Sequence, residues 1–288
     1  MWRDEADMDV IHETRPEFQT LSPAEILRRV LKSPFSRSPG VTRFLGSRSR
    51  FRRLSRGYEM ADFRPYVPGD DTRNLDWAAL ARLDQTIVRL VAAQDENPQI
   101  IILDASKSMA LGRPSKWSAA CWAVTDIAAH GFAHGESVGV NLMGENDVRP
   151  IRRLNRIQHT ADLIGLILAL RKITPGGISD ASHGIRFCAA GAAAPAALTV
   201  ISDFLPAAPT LPGGWKRRIN LIRVLSPVEI DPTEILSGEL MDMETGEKMF
   251  PRHDAAALAS YRSALEDHRR AIAHLARSTA GVAIDVRA

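Results

Sequence analysis

The chain has 288 residues, 45% of them hydrophobic and 25% charged, the make-up of an ordinary soluble protein able to bury a full core. Its net charge of +3 does not mark a nucleic-acid binder, because only six of the 37 basic residues are lysine and no aromatic stacking pattern accompanies the arginines. No apolar run reaches bilayer-crossing length, and the start, Met1-Trp2-Arg3-Asp4, lacks the apolar stretch of a signal peptide.

Residues 1–20 are polar and patternless, and are expected to be loosely held. Ser22-Pro23-Ala24-Glu25 is a helix start: a serine cap, a proline at the first helical position and a glutamate three residues after the cap. The helix would bury Ile26, Leu27, Val30 and Leu31. From there to Gly57 the composition is that of a loop, with Arg43, Arg48, Arg50, Arg52, Arg53 and Arg56 crowded together. Val67-Pro68-Gly69-Asp70 reads as a turn, and Thr86 to Val91 as a strand. Residues 1–97 are taken as an N-terminal extension and 98–288 as the main domain.

In that domain Ile100-Ile101-Ile102-Leu103 is an apolar run without alternation, as in a strand covered on both faces of a parallel sheet. An amphipathic helix over Ser115–Phe132 follows. Val138, Val140 and Leu142 form a strand, with Val148–Ile151 returning antiparallel. Asn155 caps a second helix, and a third surrounds Ile185. Leu198–Ile201 and Ile219–Leu225 are further strands, and Asp242–Glu247 is a hairpin turn. A helix over Ala255–Ala276 and a strand over Val282–Val286 close the chain. This alternation predicts an α/β fold with a doubly wound, mostly parallel sheet. The two cysteines, Cys121 and Cys188, fall in apolar helical patterns and read as buried thiols of a reducing compartment, so the expected location is cytoplasmic.

Asp104, Ser106 and Ser108 follow the buried strand at alternate positions. In an open α/β sheet ligands bind at the carboxyl ends of strands. A carboxylate and two hydroxyls offer only oxygen, which suits a hard cation such as Mg²⁺. The plainer alternative is a strand ending in a serine-rich turn, with Asp104 capping the next helix.

Asp104-x-Ser106-x-Ser108 resembles the metal-ion-dependent adhesion site of von Willebrand factor A domains. Upstream, Gly57-Tyr58-Glu59 and the segment from Arg64 to Arg82, with Pro68-Gly69-Asp70-Asp71 and Asp76-Trp77, are similar to the signature of the bacterial domain of unknown function fifty-eight family. The resemblance runs over roughly residues 40–250, and family members accompany MoxR-type AAA+ ATPases. It implies a von Willebrand A-like, Rossmann-like fold and a metal site drawn from three loops: Asp104, Ser106 and Ser108 from the first, a threonine after Gly-Gly from the second, and Asp203 from the third. Here the threonine position holds Ile178, which cannot coordinate, so that ligand would come from Ser179, Thr174 or water. Mg²⁺ is the ion implied, ahead of Ca²⁺ or Mn²⁺.

Other constellations carry less. His130 and His134 share a helical spacing, but Gly131 and Gly135 should end the helix there. Ser106-Lys107-Ser108 lacks the elbow and partnered histidine of a serine hydrolase. Asp70 and Asp71 read as turn residues beside Arg73. The glycine pairs 176–177 and 213–214 lack the lysine and spacing of a phosphate-binding loop, so the chain is not expected to be an ATPase.

The functional expectation is a non-enzymatic protein-binding adaptor that works with a MoxR-type AAA+ ATPase and presents a client protein in assembly or stress-related remodelling. The alternatives are a metal-dependent hydrolase using Asp104 and Asp203, and a nucleic-acid binder using the arginines of residues 43–56.

Overall fold

The computed structural model describes residues 9–11, 15–32, 60–66, 87–91, 99–133, 138–144, 147–152, 160–190, 197–234, 240–243, 246–249 and 255–288. The chain divides into two compact units, Met1–Ser47 with Asn97–Ala288, and Arg48–Glu96. In the second unit the described part is an antiparallel pair.

In chain order the elements are β1 (Asp9–Ile11), α1 (Pro23–Val30), β2 (Met60–Pro65), β3 (Ile87–Val91), β4 (Gln99–Asp104), α2 (Lys116–Ala133), β5 (Val138–Gly144), β6 (Asp147–Arg152), α3 (Thr160–Lys172) and α4 (Ala181–Ala190). There follow β7 (Ala197–Ser202), β8 (Arg218–Leu225), α5 (Pro227–Ile230), β9 (Leu240–Met241), β10 (Lys248–Met249), α6 (Ala255–Ser278) and β11 (Ala283–Arg287). Short 3-10 turns precede α1, at Phe18–Thr20, and follow β4, at Lys107–Ala110. β2 pairs with β3, and β9 with β10, each antiparallel. Among the described residues no helix is long and apolar enough to cross a membrane.

The main sheet has seven strands in the order β1-β11-β8-β7-β4-β5-β6, all parallel except β6, which returns antiparallel to β5. This is the doubly wound α/β architecture expected. β4 shows why its sequence has no alternation. Ile101 and Leu103 enter the core layer formed with α1, α2 and α3, while Ile102 enters the layer formed with α4 and α6. All three side chains are fully excluded from solvent. Water is absent on both faces, so polar residues have no place in the run.

Close approaches fix the opposite face. A Cβ at Gly184 of α4 would lie 2.8 Å from the Met143 sulfur, and one at Gly281, between α6 and β11, 1.6 Å from the Ile219 carbonyl oxygen. Larger residues there would push those elements off the sheet. Arg223 on β8 forms two 2.8 Å hydrogen bonds to Asp285, its direct register partner on β11.

The N-terminal segment departs from expectation. Residues 9–11 add a parallel edge strand to β11. Residues 15–20 are well held on α2. Phe18 is fully buried and meets the Trp122 ring edge-on at 5.2 Å. Arg15 stacks over Trp122 and pairs with Asp126 at 2.8 Å, and Trp122 donates its indole N–H to the Pro16 carbonyl. Glu17 accepts from both the backbone N–H and the hydroxyl of Ser115, at the start of α2. The signal is missed because it is spread over single residues without a period. In α1 the Ser22 cap forms as expected, its hydroxyl accepting from the Glu25 N–H. Leu31 falls past the last turn and is exposed. α2 runs through Gly131 to Ala133, one residue past the expected end at Phe132. Both cysteines are free and buried. Asn155, His134, the Arg43–Arg56 cluster and the Pro68–Trp77 signature lie outside the described residues.

Candidate functional site

The strand order reverses direction between β4 and β7: the chain leaves β4 for β5 on one side and returns to β7 on the other. In open α/β sheets the crevice beyond such a switch point is where ligands sit. The register sets Leu103 against Ile201, and each strand then runs on into an acidic loop. Asp104 closes β4, and Ser202 ends β7 with Asp203 directly after it.

These loops form one hydrogen-bonded cluster. Asp104 accepts from the Ser106 N–H at 2.8 Å and, on its other oxygen, from the Ser202 hydroxyl at 2.6 Å. The Ser106 and Ser108 hydroxyl oxygens lie 3.0 Å apart. Ser108 donates to Asp203 Oδ2 at 2.8 Å. Four of the five residues expected at the site therefore lie together. The second loop is tied to the first through its backbone: the Lys107 N–H donates to the Gly177 carbonyl and the Gly176 N–H to the Ala105 carbonyl. Ser179, the fifth residue, is half-buried in this loop, and no hydrogen bond joins its side chain to the other four among the described residues. Ile178 is exposed beside it, as is Leu205 on the third loop.

Two further residues complete the cluster. Lys116, the first residue of α2, is fully buried, with its ammonium 2.7 Å from Asp203 Oδ2 and 2.6 Å from Glu229 Oε1. Glu229 uses its other oxygen to accept from the Ser226 N–H and hydroxyl, completing a capping box on α5. Burial opposes the charge on Lys116, but the attraction of Asp203 and Glu229 outweighs it, so its pKa stands above the ordinary lysine value. Burial pushes the Asp104 carboxyl up, against the pull of the Ser202 and Ser106 hydrogen bonds.

The third loop turns sharply after Asp203. Phe204 has φ +56°, a left-handed conformation that costs a non-glycine residue about 1–3 kcal/mol. It is held on both sides: its N–H donates to the Ser202 hydroxyl, and its carbonyl lies 2.9 Å from His268 Nε2 on α6. The Arg223 guanidinium lies 3.2 Å from the other imidazole nitrogen, so that nitrogen is the acceptor and Nε2 carries the hydrogen. Burial lowers the His268 pKa, which matches a neutral ring.

Residues 62–271 match the profile of a family described as "Protein of unknown function DUF58". The chain belongs to the DUF58 family. It is 24% identical over 242 residues to the uncharacterized protein Rv1480 of Mycobacterium tuberculosis, covering 80% of this chain and 75% of that one. Solved structures similar to it include the conserved hypothetical protein BatB of Bacteroides thetaiotaomicron, at 17% identity and a TM-score of 0.38, over 66% of this chain and 90% of that one. Another is the SpRpn10 VWA domain, at 14% identity and a TM-score of 0.38, over 66% and 88% of the two chains.

The donor chemistry of this DUF58 chain fits a hard divalent cation. Among the described residues no three His, Cys, Asp or Glu side chains gather as a ligand set, so a cation here would need serine hydroxyls among its ligands. Ser108 directs its hydrogen at Asp203, so in the 3.0 Å contact it accepts from the Ser106 hydroxyl, which leaves one lone pair of the Ser108 oxygen for a cation. Asp104, Ser106, Ser108 and Asp203 would hold the ion, which would supply a positive centre for an acidic group of a partner.

Lys116 and Glu229 escaped the sequence reading, although each carried a signal. A lysine in the first turn opposes the helix dipole and needs a carboxylate nearby. Ser226-Pro227-Val228-Glu229 repeats the cap pattern of Ser22-Pro23-Ala24-Glu25.

Proposed function

We propose that this chain is a non-enzymatic protein-binding adaptor, working in the cytoplasm with a MoxR-type AAA+ ATPase that supplies the energy to remodel a client protein. Its contact surface is the carboxyl edge of the sheet, where Asp104, Ser106, Ser108 and Asp203, with Ser179 alongside, hold Mg²⁺ and offer it to an acidic side chain. The exposed Ile178 and Leu205 add apolar contact at the rim.

The observation that carries this reading is how the polar groups at the edge are used. A serine hydrolase would need a free base beside its nucleophile. Ser108 donates to a carboxylate that an ammonium already grips, and Lys116 is held charged by two acids, so it cannot take a proton. These groups are arranged to hold positive charge, which suits recognition. A hydrolase built on Asp104 and Asp203 would also need a base, and among the described residues each carboxylate of the cluster already accepts hydrogen bonds on both oxygens. The arginine segment of the nucleic-acid alternative lies outside the described residues.

The test is the affinity of the purified chain for a MoxR-type ATPase of the same organism. Asp104→Ala should weaken it at least tenfold with the circular dichroism spectrum unchanged. Equal affinity of the native chain and the variant would overturn the proposal.

A further inference from the structure

Building on the cation reading above, we infer that Lys116 is a built-in rival of the divalent ion for Asp203. Taking up a metal exchanges one cation for another at that carboxylate.

Asp203 Oδ2 is shared. It accepts from Ser108, a member of the oxygen cluster, and from the Lys116 ammonium at 2.7 Å. The lysine side chain is wholly excluded from solvent, Asp203 is nearly so, and Glu229 is partly exposed at 14%. In such surroundings neighbouring charges act with little screening by water or salt. The ammonium neutralises the same carboxylate that a divalent ion would draw on, and the two positive centres would repel each other across it.

Glu229 sets the balance. Its Oε1 lies 2.6 Å from the ammonium, slightly closer than Asp203, so Lys116 has a second acid to rest on when Asp203 is shared with a metal. Its Oε2 is fixed by Ser226, so this second seat is rigid. The pair thus works as a preset counter-charge. It keeps the edge assembled when metal is scarce and weakens the hold on divalent ions without abolishing it.

The experiment is isothermal titration with Mg²⁺ alone and with Mn²⁺ alone, on the native chain and three variants. Lys116→Met removes the rival, and affinity should rise at least tenfold. Glu229→Gln preserves an acceptor for the Ser226 cap but takes away the second seat, so affinity should fall at least threefold. Lys107→Met removes the same charge from the exposed neighbour in the first loop and should stay within threefold of native. Should Lys116→Met fail to fold, the direction of Glu229→Gln decides alone.

Native binding with all variants unchanged, or Lys116→Met matching Lys107→Met, would overturn this inference and leave the cation reading standing. Binding by none of the four chains would overturn both.

Discussion

The ammonium of Lys116 lies 2.6 Å from Oε1 of Glu229, a residue 113 positions away in sequence. One side chain begins α2 and the other caps α5, so this contact joins the loops beyond β4 and β8 on either side of Asp203. The carboxyl edge is therefore a single electrostatic unit with three acids, one ammonium and a neutral histidine behind it.

The frame beneath that edge is the central strand. Ile102→Ala with Leu103→Ala removes one buried side chain from each face of β4. Each truncation costs about 2–5 kcal/mol, so the double variant should be largely unfolded by chemical denaturation or near-ultraviolet circular dichroism. A folded variant with near-native melting would show that β4 is not the core of the sheet.

How much of this was legible follows from range. β4, β7, β8 and the helices between them are read easily because burial writes itself into long apolar runs. Asp104, Ser106 and Ser108 stand together in sequence, and Asp203 announces itself as an acid at a strand end. Lys116 and Glu229 were missed because their meaning lies in a contact made only after the sheet is wound, although each sits in a local pattern that asks for a partner. The N-terminal segment was missed for a related reason: Arg15, Glu17 and Phe18 each use a different interaction and show no shared period.

That segment gives a second prediction. Phe18→Ala should destabilise the chain by about 3–5 kcal/mol, since it empties a fully buried site against Trp122. Trp122 fluorescence should shift toward that of a solvated indole. A loss below about 1 kcal/mol would mean residues 15–20 contribute little to the fold.

The third concerns Ile178, where the resemblance to the metal-ion-dependent adhesion site leads one to expect a threonine. Millimolar Mg²⁺ should raise the melting temperature of the native chain by a few degrees, because a ligand bound only by the native state stabilises it. Ile178→Thr should enlarge the shift and Asp104→Ala remove it. An identical response in all three chains would exclude this edge as the ion's site.

The fourth is a pH dependence. Burial holds the His268 pKa below its usual 6.5, against the hydrogen bond to Phe204 and in the presence of Arg223, Asp203 and Asp285. The unfolded chain binds the proton more readily, so the contribution of His268 is fully present above pH 6.5 and is lost as pH falls from there through the lower folded value. Stability of the native chain measured against His268→Gln should therefore shrink as pH drops below 6.5. A difference constant from pH 7.5 to 5 would refute the neutral, buried state of this ring.

The central claim is that the carboxyl edge is where this protein meets its partner. Hydrogen exchange of the chain, free and bound to a MoxR-type AAA+ ATPase, tests it most directly. Slowed exchange should concentrate in residues 104–110, 174–180 and 203–206, and that pattern should be lost in Asp104→Ala. Protection confined to other surfaces, with these three loops unchanged on binding, would contradict it.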